Sequence, residues 1–207
     1  MTTAVGPVKK IRKFRLHPRP SAVLRNLKSL LDNAQITPEL EKAAEAEALG
    51  SIHRLDTAAL YGTWTPAQAP AWMEPLWRPA PGGTKGPVCL TLYTATIGTG
   101  FELELAEALS RGEGLRARLL TALGEELADQ AAHFIERLVS EEARQDSCEL
   151  EDRRDFSDPQ DIRATLELLD AARLAMSYDA ASHLTPRFTR AGALPWGPPS
   201  KHRGRPK

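Results

Sequence analysis

Between Pro87 and Glu142 the spacing of apolar and polar positions changes once, and the rest of the chain can be placed around that change. Val88-Cys89-Leu90-Thr91-Leu92-Tyr93-Thr94-Ala95-Thr96-Ile97 is an apolar run rich in strand-forming residues, closed by Gly98-Thr99-Gly100. A short acidic helical segment follows, then a break at Gly112-Glu113-Gly114. Beyond it Leu120, Leu123, Leu127, Ala131, Phe134 and Leu138 recur at steps of three and four, which places them on one face of a long helix. A strand that delivers the chain into a long amphipathic helix predicts the core.

The flanking segments are shorter. Ser21 reads as an N-cap, with Val23, Leu24, Leu27, Leu30 and Leu31 forming one apolar face. Thr37-Pro38-Glu39-Leu40-Glu41 opens a second, Ala-rich helix to about residue 55: a capping hydroxyl, proline at the first position, and acids where the helix dipole favours them. Residues 58–64 read as a strand. The following segment to Gly86 carries Trp72, Trp77 and a series of prolines, which remove backbone donors and predict connecting structure. Its tryptophans require burial, either as a lid on the core or in a partner. Cys148 to Pro159 is a charged strand-and-turn segment. Ser157 or Asp158 caps a helix from Pro159 to about Met176, residues 174–178 turn toward a strand, and residues 184–194 form the last strand.

Composition narrows the class. The chain has 207 residues, 42% hydrophobic and 26% charged, enough for one well-buried domain. No apolar run reaches the roughly 20 residues that span a bilayer, and the start lacks the apolar core of a secretory signal. Cys89 and Cys148 stand far apart without metal-knuckle spacing, which fits a reducing, cytoplasmic setting. Zero net charge conceals an uneven distribution. Residues 1–20 read as a basic flexible arm, residues 21–194 as the folded domain and residues 195–207 as a disordered basic tail, while Glu102 to Asp161 is dominated by carboxylates.

The candidate chemistry is sparse. Gly98-Thr99-Gly100 lacks the third glycine of a dinucleotide fingerprint, and the acids that follow would repel a phosphate, so it reads as a turn. The five histidines form no metal-binding spacing, and His133 reads as a partly buried structural side chain. Arg203-Gly204-Arg205-Pro206 has the form of an AT-hook core, able to enter an A·T minor groove.

Several segments, in order, resemble the activation domain of cobalamin-dependent methionine synthase, particularly its stand-alone relatives. They are Ala22-Val23-Leu24-Arg25-Asn26-Leu27 followed by Ile36-Thr37-Pro38-Glu39-Leu40, Thr94-Ala95-Thr96-Ile97-Gly98, Leu119-Leu120-Thr121-Ala122-Leu123-Gly124, and Leu184-Thr185-Pro186-Arg187-Phe188-Thr189. The resemblance implies a single α+β domain, a twisted antiparallel sheet flanked by helices. It also implies S-adenosylmethionine as ligand and a cobalamin-dependent methyltransferase or corrinoid protein as partner. Cobalamin would enter only through that partner, and the chemistry would belong to it rather than to this chain.

That family grips S-adenosylmethionine with an arginine followed by a Pro-Gly-Tyr loop. Here Arg153-Arg154-Asp155-Phe156-Ser157-Asp158-Pro159 takes the corresponding place, without the glycine and tyrosine and with a shortened loop. The resemblance thus implies altered or lost binding. Arg153 and Arg154 are the candidates for the ligand's carboxylate and Asp129 for its cationic end. The alternative is a non-catalytic scaffold whose basic arms, including Arg203 to Pro206, engage nucleic acid or an acidic partner.

Overall fold

Strands β2 (Ala58–Trp64) and β3 (Cys89–Thr96) form the middle of the sheet, and both are buried on both faces along almost their whole length. Alternation of side chains across a strand divides these residues between two cores. Ala59, Tyr61, Tyr93 and Ala95 face one core; Ala58, Leu60, Trp64, Leu90 and Leu92 face the other. Double burial explains why the sequence reads here as a continuous apolar run rather than an alternating one.

The computed structural model describes residues 7–31, 36–79, 85–179 and 183–198. Its main sheet is antiparallel throughout, in the order β1 (Lys9–Arg12), β2, β3, β8 (Thr189–Gly197), with β4 (Glu149–Leu150) and β5 (Arg154–Asp155) both pairing with β8. A separate two-stranded ladder joins β6 (Ser177–Tyr178) to β7 (Leu184–Thr185). Helices α1 (Pro20–Leu30), α2 (Pro38–Ser51), α3 (Gly100–Ser110) and α4 (Gly114–Gln145) lie on one side of the sheet; α5 (Pro159–Leu168) and the tryptophan segment lie on the other.

Helix α4 organises the first core. Leu120, Leu123, Leu127 and Ala131 are fully buried, and burial then continues along Ile135, Val139 and Ala143. Phe134 and Leu138, read from the sequence as part of the same stripe, are only half-buried. Phe134 instead stacks on Phe14 with ring centroids 4.3 Å apart. A 3.6-residue helix drifts across a 3.5-residue stripe, and here the drift lets one side chain leave the sheet and hold the N-terminal segment.

That segment is more ordered than its composition suggests. Lys9–Arg12 is an edge strand, and its charged residues conceal the alternation while protecting the edge. Residues 13–19 then form a strap across α4. Lys13 N–H donates to the Thr57 carbonyl at 2.8 Å, the Thr57 hydroxyl to the Phe14 carbonyl at 2.7 Å, and Leu16 is buried. Helix α1 starts at Pro20, so Arg19 and not Ser21 occupies the N-cap position. Proline suits the first turn because the donor it lacks has no helical partner there.

Other boundaries shift for similar reasons. The Thr37 hydroxyl accepts from Leu40 N–H at 3.4 Å, as the capping pattern requires, but α2 ends at Ser51 and a 3₁₀ turn carries the chain to Arg54. The long helix expected after Pro159 stops at Leu168; a 3₁₀ turn follows between Asp170 and Ala175, both in left-handed conformation. The closing strand splits into β7 and β8, and β8 runs on through Pro195 and Trp196 into the stretch read as tail. The Trp196 indole donates to the Thr91 hydroxyl at 2.9 Å, and the Pro195 carbonyl accepts from Glu151 N–H at 2.8 Å. Proline lacks only the donor, so its carbonyl still serves a ladder.

The tryptophan segment packs as a lid on the second core. Met73 is fully buried, and Trp72, Leu76 and Trp77 lie against it. At the end of β3, Gly98 has φ +85° and backs onto Asp56, whose atoms would stand 3.0 Å from an added Cβ, which accounts for the Gly-Thr-Gly turn.

Candidate functional site

The face of α4 that turns away from the core is polar in helical register: Glu126, Asp129, His133 and Glu136 follow one another at steps of three and four. Strand β5 brings Asp155 to this face, with Arg153 just before it, β8 contributes Arg190, and the strap contributes Arg19. The result is a connected lattice of charges.

Arg153 is its centre, with only 13% of its side chain exposed. One nitrogen, Nη2, lies 2.6 Å from Asp129 Oδ1 and 2.9 Å from Asp155 Oδ2. The other, Nη1, is shielded from solvent and makes no hydrogen bond, with Glu136 Oε2 at 3.8 Å. Asp155 also accepts a 2.5 Å hydrogen bond from the hydroxyl of Tyr93, whose ring is fully buried. Burial, then the Asp155 charge, pushes the Tyr93 hydroxyl far above its ordinary value, so it stays a proton donor to Asp155. His133, half-exposed rather than partly buried within a core, bridges Asp129 at 3.4 Å and Glu136 at 2.8 Å. It sits on the polar face because the stripe it belongs to is the charged one.

A second group borders the first. Glu126 is 2% exposed and takes a bidentate contact from Arg19, Nε at 2.7 Å and Nη2 at 3.2 Å; it also accepts from Gln130 at 2.7 Å. The Gln130 amide makes two hydrogen bonds with the backbone of His17, holding the strap in place. Arg190 forms a close ion pair with Glu125.

The lattice separates two clefts. One, of about 410 Å³, lies between α1 and α4 and is lined by Asn26, Glu125, Glu126, Asp129, Asp155 and Arg190, among others. A larger one, of about 1070 Å³, lies across the strap and includes Arg15, Arg19, His133, Glu136, Glu151 and Asp152. Both fall in or near the size range of small-molecule sites.

Of the three residues singled out in the sequence, the structure brings Arg153 and Asp129 together and sends Arg154 elsewhere. Alternation along β5 turns Arg154 to the opposite face. There its guanidinium donates to the carbonyls of Leu76 at 2.9 Å and Arg78 at 3.4 Å, and Glu151 stands 3.5 Å away. Arg154 thereby ties β5 to the tryptophan lid. Helical register in the sequence could have disclosed Glu126 and Glu136. Arg19, Tyr93, Asp155 and Arg190 carry no local signal. Among the described residues, no group of three or more His, Cys, Asp or Glu side chains is arranged to hold a metal ion, and no helix is long and apolar enough to cross a membrane. Arg203 to Pro206 lie outside the described residues.

The Asp129 carboxyl makes a measurable prediction. Burial pushes it up, but the hydrogen bond and charge of Arg153 outweigh burial and hold it below the ordinary aspartate value. The unfolded chain therefore takes up the proton first as pH falls. The stabilisation is fully present above about pH 4 and is lost as pH drops through the folded-state value. Asp129→Asn is expected to lower Tm at neutral pH and to flatten its decline below about pH 4. Thermal unfolding across that range checks it; an unchanged acid limb would show that the pair is not coupled to folding.

A single α+β domain with a twisted antiparallel sheet, helices on both faces and a zwitterionic cleft beside its longest helix defines the class of protein. No family model and no curated protein matches the chain. Among solved structures, the fold is similar to that of the MetH reactivation domain bound to AdoHcy. The TM-score is 0.63 at 12% identity, covering 98% of this chain and 83% of that one. The resemblance carried by scattered segments of the sequence thus holds at the level of the whole fold.

Proposed function

We propose that this protein is an accessory module that binds an S-adenosylmethionine-type ligand in the cleft beside α4 and works with a cobalamin-dependent methyltransferase or corrinoid partner. The observation that carries the reading is the Arg153–Asp129 pair, opposed charges 2.6 Å apart, with Asp129 and Asp155 lining the cleft of about 410 Å³ and Arg153 directly behind them. The methionyl end of such a ligand is a zwitterion, and S-adenosylmethionine adds a sulfonium cation. A guanidinium suits the carboxylate, and the Asp129 and Asp155 carboxylates suit the cationic groups. Arg153 Nη1, which makes no hydrogen bond and has only Glu136 at 3.8 Å, retains a donor that a ligand carboxylate could engage once the side chain shifts.

The similarity to a reactivation domain that holds AdoHcy, the demethylated counterpart of S-adenosylmethionine, supports the same ligand class. Where that resemblance implies a Pro-Gly-Tyr loop, this chain has Asp155, Phe156 and a short turn capped by Asp158. Binding is accordingly altered: side-chain charges take over from close backbone contacts. Docking on a cobalamin-bearing partner follows from the same likeness, and this chain's part would be to hold the ligand rather than to perform the methyl transfer.

Isothermal titration of the folded protein with S-adenosylmethionine and with AdoHcy tests the reading. Saturable binding of either at millimolar concentration or below is expected. No heat with both ligands, on protein shown to be folded, would overturn it.

A further inference from the structure

Arg19 belongs to the strap, yet its guanidinium lies on the carboxylates of the cleft. It clamps Glu126 through two nitrogens and stands 3.8 Å from Asp129 Oδ2. The two partners differ sharply in environment: Glu126 is 2% exposed and Arg19 is 53% exposed. A buried carboxylate is held in place by a cation, because leaving it uncompensated is strongly unfavourable. A half-exposed arginine, by contrast, loses little by turning into water. The strap has other anchors besides this contact. It is anchored by the Phe14–Phe134 stack, by buried Leu16 and by the two bonds between Gln130 and the His17 backbone. Arg19 also stands between the two clefts, lining the larger one while its carboxylate partners line the smaller.

We propose that Arg19 is a built-in surrogate for the cationic group of the ligand, occupying Glu126 in the free protein and swinging out when an organic cation takes its place. Its departure would join the two clefts into one groove along α4. This rests on the cleft being the ligand site, as argued above. It adds a self-inhibiting contact and a third carboxylate, Glu126, to the recognition of the cation. A ligand that must displace Arg19 binds with an affinity reduced by the fraction of molecules in which the arginine is already out.

Two measurements test this. In titrations with S-adenosylmethionine, Arg19→Ala is expected to bind at least about tenfold tighter than the wild type. Arg19→Gln, which keeps a hydrogen-bond donor for Glu126 without the charge, covers the case where the alanine variant is poorly folded. In the second, thermal unfolding is followed with millimolar methylguanidinium chloride against sodium chloride at the same ionic strength. Methylguanidinium is expected to raise the Tm of Arg19→Ala and to have no such effect on the wild type or on Arg19→Ala/Glu126→Gln. Wild-type binding through Arg153 with no gain in the Arg19 variants would overturn the surrogate role and leave the ligand site standing. If no variant binds S-adenosylmethionine, the ligand reading fails, and the cation measurement decides alone. Selective rescue by methylguanidinium would uphold an exchangeable cation on Glu126, and its absence would overturn it.

Discussion

Arg153→Ala is expected to weaken S-adenosylmethionine binding by about 30-fold or more, since truncating one member of a buried, hydrogen-bonded charge pair costs about 2–5 kcal/mol. The effect is large because one guanidinium serves several groups. Its Nη2 holds Asp129 and Asp155 in position, and its Nη1 makes no hydrogen bond within the protein. Arg153→Lys is not expected to restore binding. An ammonium is a compact point charge that cannot reproduce the fork, so it would contact one carboxylate at the expense of the other. Arg154→Ala is the informative contrast. That guanidinium braces the Leu76 and Arg78 carbonyls on the other side of the sheet, so its loss should lower stability and leave affinity largely intact. Titration of all three variants, each checked by circular dichroism, separates the roles. A folded Arg153→Ala protein with wild-type affinity would remove the cleft from consideration.

Gly192→Ala is expected to destabilise the protein by about 1–3 kcal/mol, the usual range for forcing atoms into a filled site, and to impair binding as well. An added Cβ would stand 2.5 Å from the Arg154 carbonyl oxygen and 2.9 Å from the Tyr93 hydroxyl. The first clash is with backbone and would push β5 away from β8, where Asp155 and Gly192 are directly paired. The second would displace the hydroxyl that donates to Asp155. Both movements reach Arg153 through Asp155. Urea denaturation gives the stability change. Adding Tyr93→Phe to the Gly192→Ala protein separates the two clashes: it removes the hydroxyl contact and leaves the backbone one, with the ring carbon still 3.0 Å away. Undiminished stability in Gly192→Ala would mean that β5 can move without cost, and the rigid placement of Arg153 would then need another source.

Elements whose side chains repeat within a few residues are legible in the sequence itself. The strand at 58–64, the Thr37-Pro38 helix start and the run of Leu120, Leu123, Leu127 and Ala131 all stand where their patterns put them. Edges are less legible. Lys9–Arg12 is charged and pairs on one side only, and Pro195 and Trp196 sit in a proline-rich stretch, so neither shows the apolar alternation that marks a strand. Of the charge lattice, Asp129 and Arg153 are singled out by the family resemblance alone. Glu126 and Glu136 lie in the same helical register but do not stand out, since charges at helical spacing ordinarily mark a solvated face.

What the sequence determined alone was therefore periodic: which residues share a helix face or a side of a strand, because that depends only on backbone geometry two, three or four residues apart. The tertiary structure decided the company those faces keep. Arg19 meets Glu126 across 107 residues, Tyr93 meets Asp155 across 62, and Arg153 meets Asp129 across 24. The same sheet edge that brings Arg153 to Asp129 turns its neighbour Arg154 away from it. No local pattern encodes such meetings. They arise when two cores close on opposite faces of one sheet and leave the polar face of α4 beside β5 and the strap, where each buried charge must find a partner of opposite sign.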